Sequence, residues 1–217
     1  MGRRIFDNLQ KAFGYVFAIH VPIAGLSLLP ILLGDLPLIL WPVHIVFLEL
    51  IIDPACSIIF EAEKEEANVM SRPPKSINDK FFGLSKIIFS CMQGVGILVI
   101  TLAVYGIGLK QGYDDKEVRT MAFVTLIVSN ISIILTNRSW TSNIFEIILT
   151  PNRAVLWVIG GAVFFMVLIL NIPFFIDLFQ FGKLGILNIL ICCLAGISSI
   201  VWFEIYKMIK LKNHVSL

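Results

Sequence analysis

The chain has 217 residues, of which 58% are apolar and only 15% are charged, and its mean hydropathy is +0.90. Soluble domains average roughly 45–50% apolar and about 25% charged residues, so the composition excludes an ordinary soluble domain and predicts the lipid bilayer as a partner. The 17 Lys and Arg residues nearly balance the 15 Asp and Glu residues. A net charge of +2 therefore gives no reason to expect nucleic acid as a partner.

A helix needs about 20 apolar residues to cross the hydrocarbon of a membrane, and six stretches of the sequence come near that length. Residues 1–11 form a charged, amphipathic stalk before the first stretch, residues 12–210 form one membrane domain, and residues 211–217 form a tail. The predicted fold is an all-α membrane protein, a six-transmembrane-helix bundle. The predicted spans are residues 12–33, 38–60, 87–109, 120–137, 154–176 and 184–206.

The distribution of Lys and Arg residues predicts the orientation of these spans, because basic residues near span ends resist translocation. Thirteen of them fall on the side that holds both termini, among them the residues of the stalk. Only four fall on the other side: Lys110, Lys116, Arg119 and Lys183. Both termini are therefore predicted to be cytoplasmic.

Two carboxylates, Glu49 and Asp53, lie midway along the second predicted span. A charged residue at the centre of a membrane helix costs a few kcal/mol and usually marks an ion or proton path. Residues four apart share one helical face, so the two acids would lie about one turn apart. Two like charges this close raise each other's pKa unless a cation or a proton lies between them. The spacing predicts an oxygen-rich cation site or a shared-proton site.

Pro54 follows Asp53 directly and cannot donate a backbone hydrogen bond, so it frees the carbonyl of Leu50 and disturbs the helix beside the acids. Irregular backbone at this depth is tolerated where it lines a cavity or binds an ion. The structural alternative is that both acids are protonated and form hydrogen bonds between helices.

Other polar residues of the spans are candidate ligands. His20 in the first span is a possible ligand, a counter-charge to the acid pair or a neutral hydrogen-bonded group. Ser129 and Asn130 in the fourth span are further candidates. Thr125, Ser129, Ser132 and Thr136 share one face of that span, and such hydroxyl stripes are typical of helix packing.

Three further features have structural interpretations. Gly94-x-Gly96 in the third span and Gly160-Gly161 in the fifth predict close contacts between helices. The acidic cluster after the second span, Glu61, Glu63, Glu65 and Glu66, is interpreted as a solvated linker. The four cysteines have neither a CxxC nor a Cys/His ligand spacing, so no disulfide framework or zinc site is predicted in this chain.

The order of these features closely resembles the C-terminal membrane part, spans five to ten, of P-type cation-transporting ATPases of the calcium-pump-like branch. The resemblance covers essentially the whole chain. Its most specific elements are Gly2-Arg3, Ile5-Phe6 and Asn8 in the stalk, Asp53 in the second span, and Met70-Ser71-Arg72-Pro73-Pro74-Lys75 after it.

The resemblance implies which residues bind the transported ion. In the second of these spans the family has an asparagine and an aspartate that bind the ion. They correspond to Glu49 and Asp53, so the aspartate is kept and the asparagine is replaced by a second acid here. The asparagine and glutamate of the preceding span fall on His20 and Ile23, and the acidic ligand of the eighth pump helix falls near Ile127. This chain keeps a carboxylate pair but has a different set of oxygen ligands, and calcium is the cation that the family favours.

The resemblance also implies what an intact pump contains besides this chain. The Asp-Lys-Thr-Gly-Thr phosphorylation motif and the nucleotide-binding and actuator domains do not occur in the sequence, so ATP and Mg²⁺ are expected only for the intact pump and this chain alone is not expected to hydrolyse ATP. The missing N-terminal helices and cytoplasmic domains are expected partners, on the same or a neighbouring polypeptide, in a bacterial plasma membrane. The alternative is a free-standing six-helix ion or proton permease, or a non-catalytic membrane partner.

Overall fold

A computed structural model describes residues 2–34, 36–66, 69, 83–140, 142 and 144–215. The motif Met70–Lys75, on which part of the resemblance depends, lies outside these residues. So do three of the basic residues that enter the orientation argument, Arg72, Lys75 and Lys80.

Among the described residues all regular structure is helical, and six helical stretches are long and apolar enough to span a membrane. The predicted all-α, six-helix fold is therefore confirmed. The helices are α1 (Gly2–Leu33), α2 (Pro42–Pro54), continued by a π-helical segment (Ala55–Phe60), α3 (Leu84–Lys110), α4 (Asp115–Asn137), α5 (Ile144–Leu149), α6 (Arg153–Asn171), α7 (Pro173–Leu178), α8 (Ile186–Ser198) and α9 (Val201–Val215). The sixth stretch, Ile186–Ile209, consists of α8 and most of α9.

Local sequence determines several of the helix ends. The Asp114 side chain accepts a hydrogen bond from the backbone nitrogen of Glu117 at 2.7 Å, and the Glu117 side chain accepts one from the nitrogen of Asp114 at 3.1 Å. This capping box satisfies donors that the first turn of α4 would otherwise leave unpaired. Asn152 caps α6 through Ala154 in a similar way, at 2.9 Å.

The helix α4 forms the centre of the bundle. In its most apolar stretch 83% of the residues are buried, compared with 17–44% for the other five spans. It packs against α8, α3 and α1, while α1 packs along α3. Residues on α4 therefore contact protein on all sides, whereas the other spans each leave one side uncovered.

Small residues permit the closest of these contacts. A Cβ atom added to Gly94 would overlap the backbone carbonyl of Ala18, and one added to Gly196 would lie 2.9 Å from the carbonyl oxygen of Thr125. The close contact predicted at Gly94 is confirmed. The contact predicted at Gly160-Gly161 is wrong for the described residues, because an added Cβ at either glycine would meet no atom within 4 Å.

The acidic cluster after the second span is only partly solvated, because Glu63 and Glu66 are buried whereas Glu61 and Glu65 are exposed. Glu63 pairs with Arg138 at 2.8 Å and accepts a hydrogen bond from Asn152 at 2.6 Å. Glu66 pairs with Lys11 at 2.6 Å. The two carboxylates connect the stalk to the segment after α4, and they do so at the end of the bundle where the chain begins, which we call the terminal side.

Candidate functional site

The acid pair lies in the second span, on the helix that runs from Pro42 into the π-helical segment. Glu49 and Asp53 are four residues, about one turn, apart in α2. Residues at this spacing share one face of an α-helix, so α2 presents both carboxylates on one side.

The backbone changes from α-helical to π-helical directly after the acids. The α-helix ends at Pro54, the six residues that follow form a π-helix, and the hydroxyl of Ser57 donates to the carbonyl oxygen of Asp53 at 2.7 Å. Proline removes one intrahelical donor, and single-turn π segments occur frequently at functional sites. The irregular backbone predicted from Pro54 is present beside the acid pair.

His20 lies opposite Glu49, on α1. Its Nδ1 atom is 2.8 Å from the carbonyl oxygen of Val16, and its Nε2 atom is 3.6 Å from Oε1 of Glu49. A carbonyl oxygen can only accept, so Nδ1 carries a proton, and in the neutral ring the Nε2 lone pair faces the carboxylate. The distance between these two acceptors is longer than a direct hydrogen bond. It allows one cation to contact both atoms at ligand distances of about 2–2.6 Å.

These three side chains face out of the bundle. Asp53 is exposed, and the side chains of His20 and Glu49 are 49% and 39% exposed. Among the described residues, no group of three or more His, Cys, Asp and Glu side chains could hold a metal ion. A carboxylate within a span costs about 2.5–3.5 kcal/mol in lipid, so this face requires cover by protein or water.

Ser129 and Asn130, the other candidate ligands, are fully buried in α4 and already have partners. The hydroxyl of Ser129 lies 3.3 Å from the carbonyl oxygen of Gly196, and Oδ1 of Asn130 accepts a hydrogen bond from the hydroxyl of Tyr15 at 2.6 Å. Asn130 is therefore bonded to Tyr15, whose ring lies 5.5 Å from that of Phe60 in the second span, and Ser129 faces α8.

The remaining hydroxyls of the α4 stripe have packing roles. Thr125 donates to the carbonyl of Met121 within its own helix at 2.8 Å, and Thr136 donates to Glu204 of α9 at 2.9 Å. These contacts agree with the interpretation of the stripe as a packing surface.

Sequence reasoning missed Tyr15, which bonds to Asn130 between the first and fourth spans, and Cys56, which follows the acids on the same helix. The signal for Cys56 is its position three residues after Asp53, which places both on one helical face. The signal for Tyr15 is weaker. A buried tyrosine hydroxyl usually has a hydrogen-bond partner, but the sequence does not say that this partner lies 115 residues away.

Comparisons with known proteins agree with this architecture. The sequence is 28% identical over 93% of its length to "Calcium-transporting ATPase 1" of Yarrowia lipolytica. It is 26% identical over 99% of its length to the human "Calcium-transporting ATPase type 2C member 1", and 27% identical over 96% to "Calcium-transporting ATPase 1" of Bacillus cereus. The chain covers 21%, 24% and 25% of these three relatives, so it corresponds to about a quarter of their length.

The match to a protein family is more extensive than any single motif. Residues 37–209 match the family described as "Cation transporting ATPase, C-terminus". This range begins before α2 and reaches the last turns of the sixth span, and it includes both acids and the whole of α4. The chain belongs to the family of C-terminal membrane domains of cation-transporting ATPases.

Proposed function

We propose that this chain is the membrane transport domain of a P-type ATPase and that Glu49 and Asp53 form its part of the binding site for the transported cation. The observation that carries the proposal is the carboxylate pair one turn apart in a span, followed at once by a π-helical segment and faced by His20. Calcium is the proposed cation, because the relatives are named calcium-transporting ATPases.

The exposed face of the site is an argument that another segment of the pump covers it. Ca²⁺ takes six to eight oxygen ligands, and the two carboxylates and one imidazole described here cannot supply that number. We infer that the missing N-terminal helices of the pump cover the exposed face of α1 and α2 and contribute further ligands. In this proposal Ser129 and Asn130 do not bind the cation, since their polar oxygens have partners within the chain. Asn130 bonds to Tyr15, and Ser129 bonds to α8.

The same open face disfavours a free-standing permease. An isolated chain would expose Asp53 to lipid, whereas a pump would cover it with the remainder of its membrane domain. ATP and Mg²⁺ would be bound by the cytoplasmic domains of the intact pump. In this arrangement the terminal side is cytoplasmic, the membrane is the plasma membrane of a bacterium, and the stalk, residues 1–11, connects the membrane domain to the phosphorylated part.

The test is Asp53→Asn in an intact pump that carries this chain as its C-terminal membrane domain. Loss of one charge-assisted ligand contact is worth about 1.5–3 kcal/mol, so we expect the calcium concentration for half-maximal phosphorylation by ATP to rise at least about tenfold. Asp177→Asn makes the same chemical change at an exposed position on α7 and should leave that concentration unchanged. If both variants behave like the wild type, Asp53 does not bind the transported cation.

A further inference from the structure

A cavity lies away from the acid pair, on the terminal side of the bundle. It has a volume of about 350 Å³, is partly open, and is lined by residues of α1, α3, α4 and α9. This volume lies within the range of small-molecule sites, which is about 300–1,000 Å³. The cavity is large enough for a polar head group but not for a whole lipid.

One residue of the lining, Gln93, has a buried amide with an unpaired donor among the described residues. Gln93 is 4% exposed and lines the cavity, and its Nε2 atom has no hydrogen-bond partner among the described residues. Its Oε1 atom is 3.4 Å from Nδ2 of Asn137, which also lines the cavity. An unpaired buried donor is unfavourable unless an acceptor reaches it. The amide therefore indicates a ligand with acceptor oxygens.

The charge of the lining also favours a ligand that accepts hydrogen bonds. Lys86 lines the cavity in the first turn of α3, where its Nζ atom donates to Gln10 at 2.6 Å and lies 4.2 Å from the centre of the Trp140 ring. Lys207, the other cation of the lining, pairs with Glu204 at 2.9 Å. None of the described residues that line the cavity is acidic. An anion is the ligand that this lining would attract.

The start of α3 adds backbone donors. Gly83 precedes this helix of 27 residues and has no side chain to cap it; in the described part of the chain the N–H groups of Lys86 and Ile87 donate to the Gly83 carbonyl oxygen. The first turn of an α-helix leaves backbone N–H groups unpaired and attracts phosphate. Ser85, in this first turn, also lines the cavity. The helix start, the Lys86 ammonium and the Gln93 amide are thus donors in the lining of one cavity.

The lining also contains aromatic side chains, one of them on α3 itself. The rings of Phe89 and Tyr206 are 4.7 Å apart between centroids, those of Phe89 and Phe203 are 6.2 Å apart, and all three line the cavity. Outside it, α3 and α9 expose apolar side chains, Ile88 on one helix and Ile209 on the other. A ligand that fits must therefore combine a phosphate group with a hydrocarbon part.

We propose that this cavity binds the head group of an anionic phospholipid, with the phosphate accepting hydrogen bonds from Lys86 and Gln93 and the first part of the acyl chains lying against Phe89. The position favours a lipid over free phosphate, because the cavity lies at the ends of four spans, where membrane proteins contact head groups, and aromatic residues are common there. The site is separate from Glu49 and Asp53 and does not depend on which ion is transported.

Native mass spectrometry of the delipidated 217-residue chain tests the proposal. Phosphatidylglycerol, phosphatidylcholine and inorganic phosphate are added separately, and we expect one phosphatidylglycerol to be retained at least about tenfold more strongly than phosphatidylcholine. Inorganic phosphate in excess should not displace it. Equal retention of the two lipids, or displacement by inorganic phosphate, would overturn the proposal without any variant being made.

Two variants locate the lipid. Lys86→Gln removes the charge, and Gln93→Met removes the amide at similar side-chain length, and each should lower phosphatidylglycerol retention about tenfold, as expected for a charge-assisted or buried hydrogen bond. Lys110→Gln makes the same change as Lys86→Gln at an exposed residue in the last turn of the same helix and should retain the lipid. Retention that is equal in all three variants would place the lipid elsewhere.

Discussion

At the residue scale, Tyr15 and Asn130 form a hydrogen bond between the first and fourth spans. Both residues are completely buried, and the Tyr15 hydroxyl donates to Oδ1 of Asn130 at 2.6 Å. Nδ2 of Asn130 has no partner among the described residues. The amide therefore depends on one hydrogen bond, and that bond also orients the Tyr15 ring, which packs against Phe60 of the second span.

Tyr15→Phe should consequently destabilise the chain. The substitution keeps the ring and its packing but leaves Asn130 without its partner, and an unsatisfied buried polar group costs about 1–3 kcal/mol. We expect a lower unfolding temperature in detergent, measured by thermal unfolding of the purified chain.

A second variant separates the hydrogen bond from the packing. Asn130→Leu removes the amide that Tyr15→Phe leaves unpaired, so the double variant should be less destabilised than the sum of the two single variants. Strictly additive losses would show that the two side chains are not coupled. Tyr105→Phe, which removes a longer hydrogen bond of 3.2 Å to the carbonyl of Pro37, should have a smaller effect.

At the element scale, Gly94 permits a close backbone contact between α1 and α3, which also meet at Gly25 and Leu98. Gly94→Ala would place a methyl group onto the carbonyl of Ala18, which belongs to the backbone and cannot rotate away. Overpacking of this kind costs about 1–3 kcal/mol, so we expect reduced thermal stability. Gly106→Ala, on the same helix but with open space around it, should be neutral or stabilising, because alanine favours helices. A similar loss of stability in both variants would contradict the close contact at Gly94.

The sequence was sufficient to predict the helices and the spacing of the acids, because both depend on residues close together in the chain. Apolar stretches near 20 residues long predict spans, and four-residue spacing places Glu49 and Asp53 on one face. It was not sufficient to predict which glycines meet a neighbour. Gly94 and Gly160 occur in equally apolar helices, yet only Gly94 lies against another span.

The burial of charged side chains was also hard to predict, because it depends on contacts between residues that are far apart in the chain. Glu63 and Glu66 lie three residues apart in a polar segment that has the composition of a linker. Their partners, Arg138 and Lys11, are 75 and 55 residues away in the chain. Neither partner is indicated by local spacing. The sequence therefore could not distinguish these buried glutamates from the rest of the acidic cluster, whereas it did include His20 as a possible counter-charge to the acid pair.

At the scale of the whole molecule, buried ion pairs connect the stalk to the rest of the terminal side. Lys11 and Glu66 are 1% and 2% exposed in their side chains and lie 2.6 Å apart. Glu66 also accepts a hydrogen bond from the Ser139 hydroxyl at 2.9 Å. Because α1 carries Lys11 and His20 on one helix, displacement of the stalk would be transmitted both to this network and to the acid pair.

Lys11→Met should therefore destabilise the whole bundle rather than the stalk alone, because it leaves Glu66 buried without its cation. Breaking a buried pair by removing one partner costs about 3–5 kcal/mol, whereas replacing both partners with apolar or neutral groups is often tolerated. We expect a large loss of thermal stability in Lys11→Met and recovery of most of it when Glu66→Gln is added. Lys110→Met, at an exposed position, should change the free energy of unfolding by less than about 0.5 kcal/mol. If the double variant is no more stable than Lys11→Met, the uncompensated charge is not the cause of the loss, and the contribution of Lys11 comes from the packing of its hydrocarbon chain.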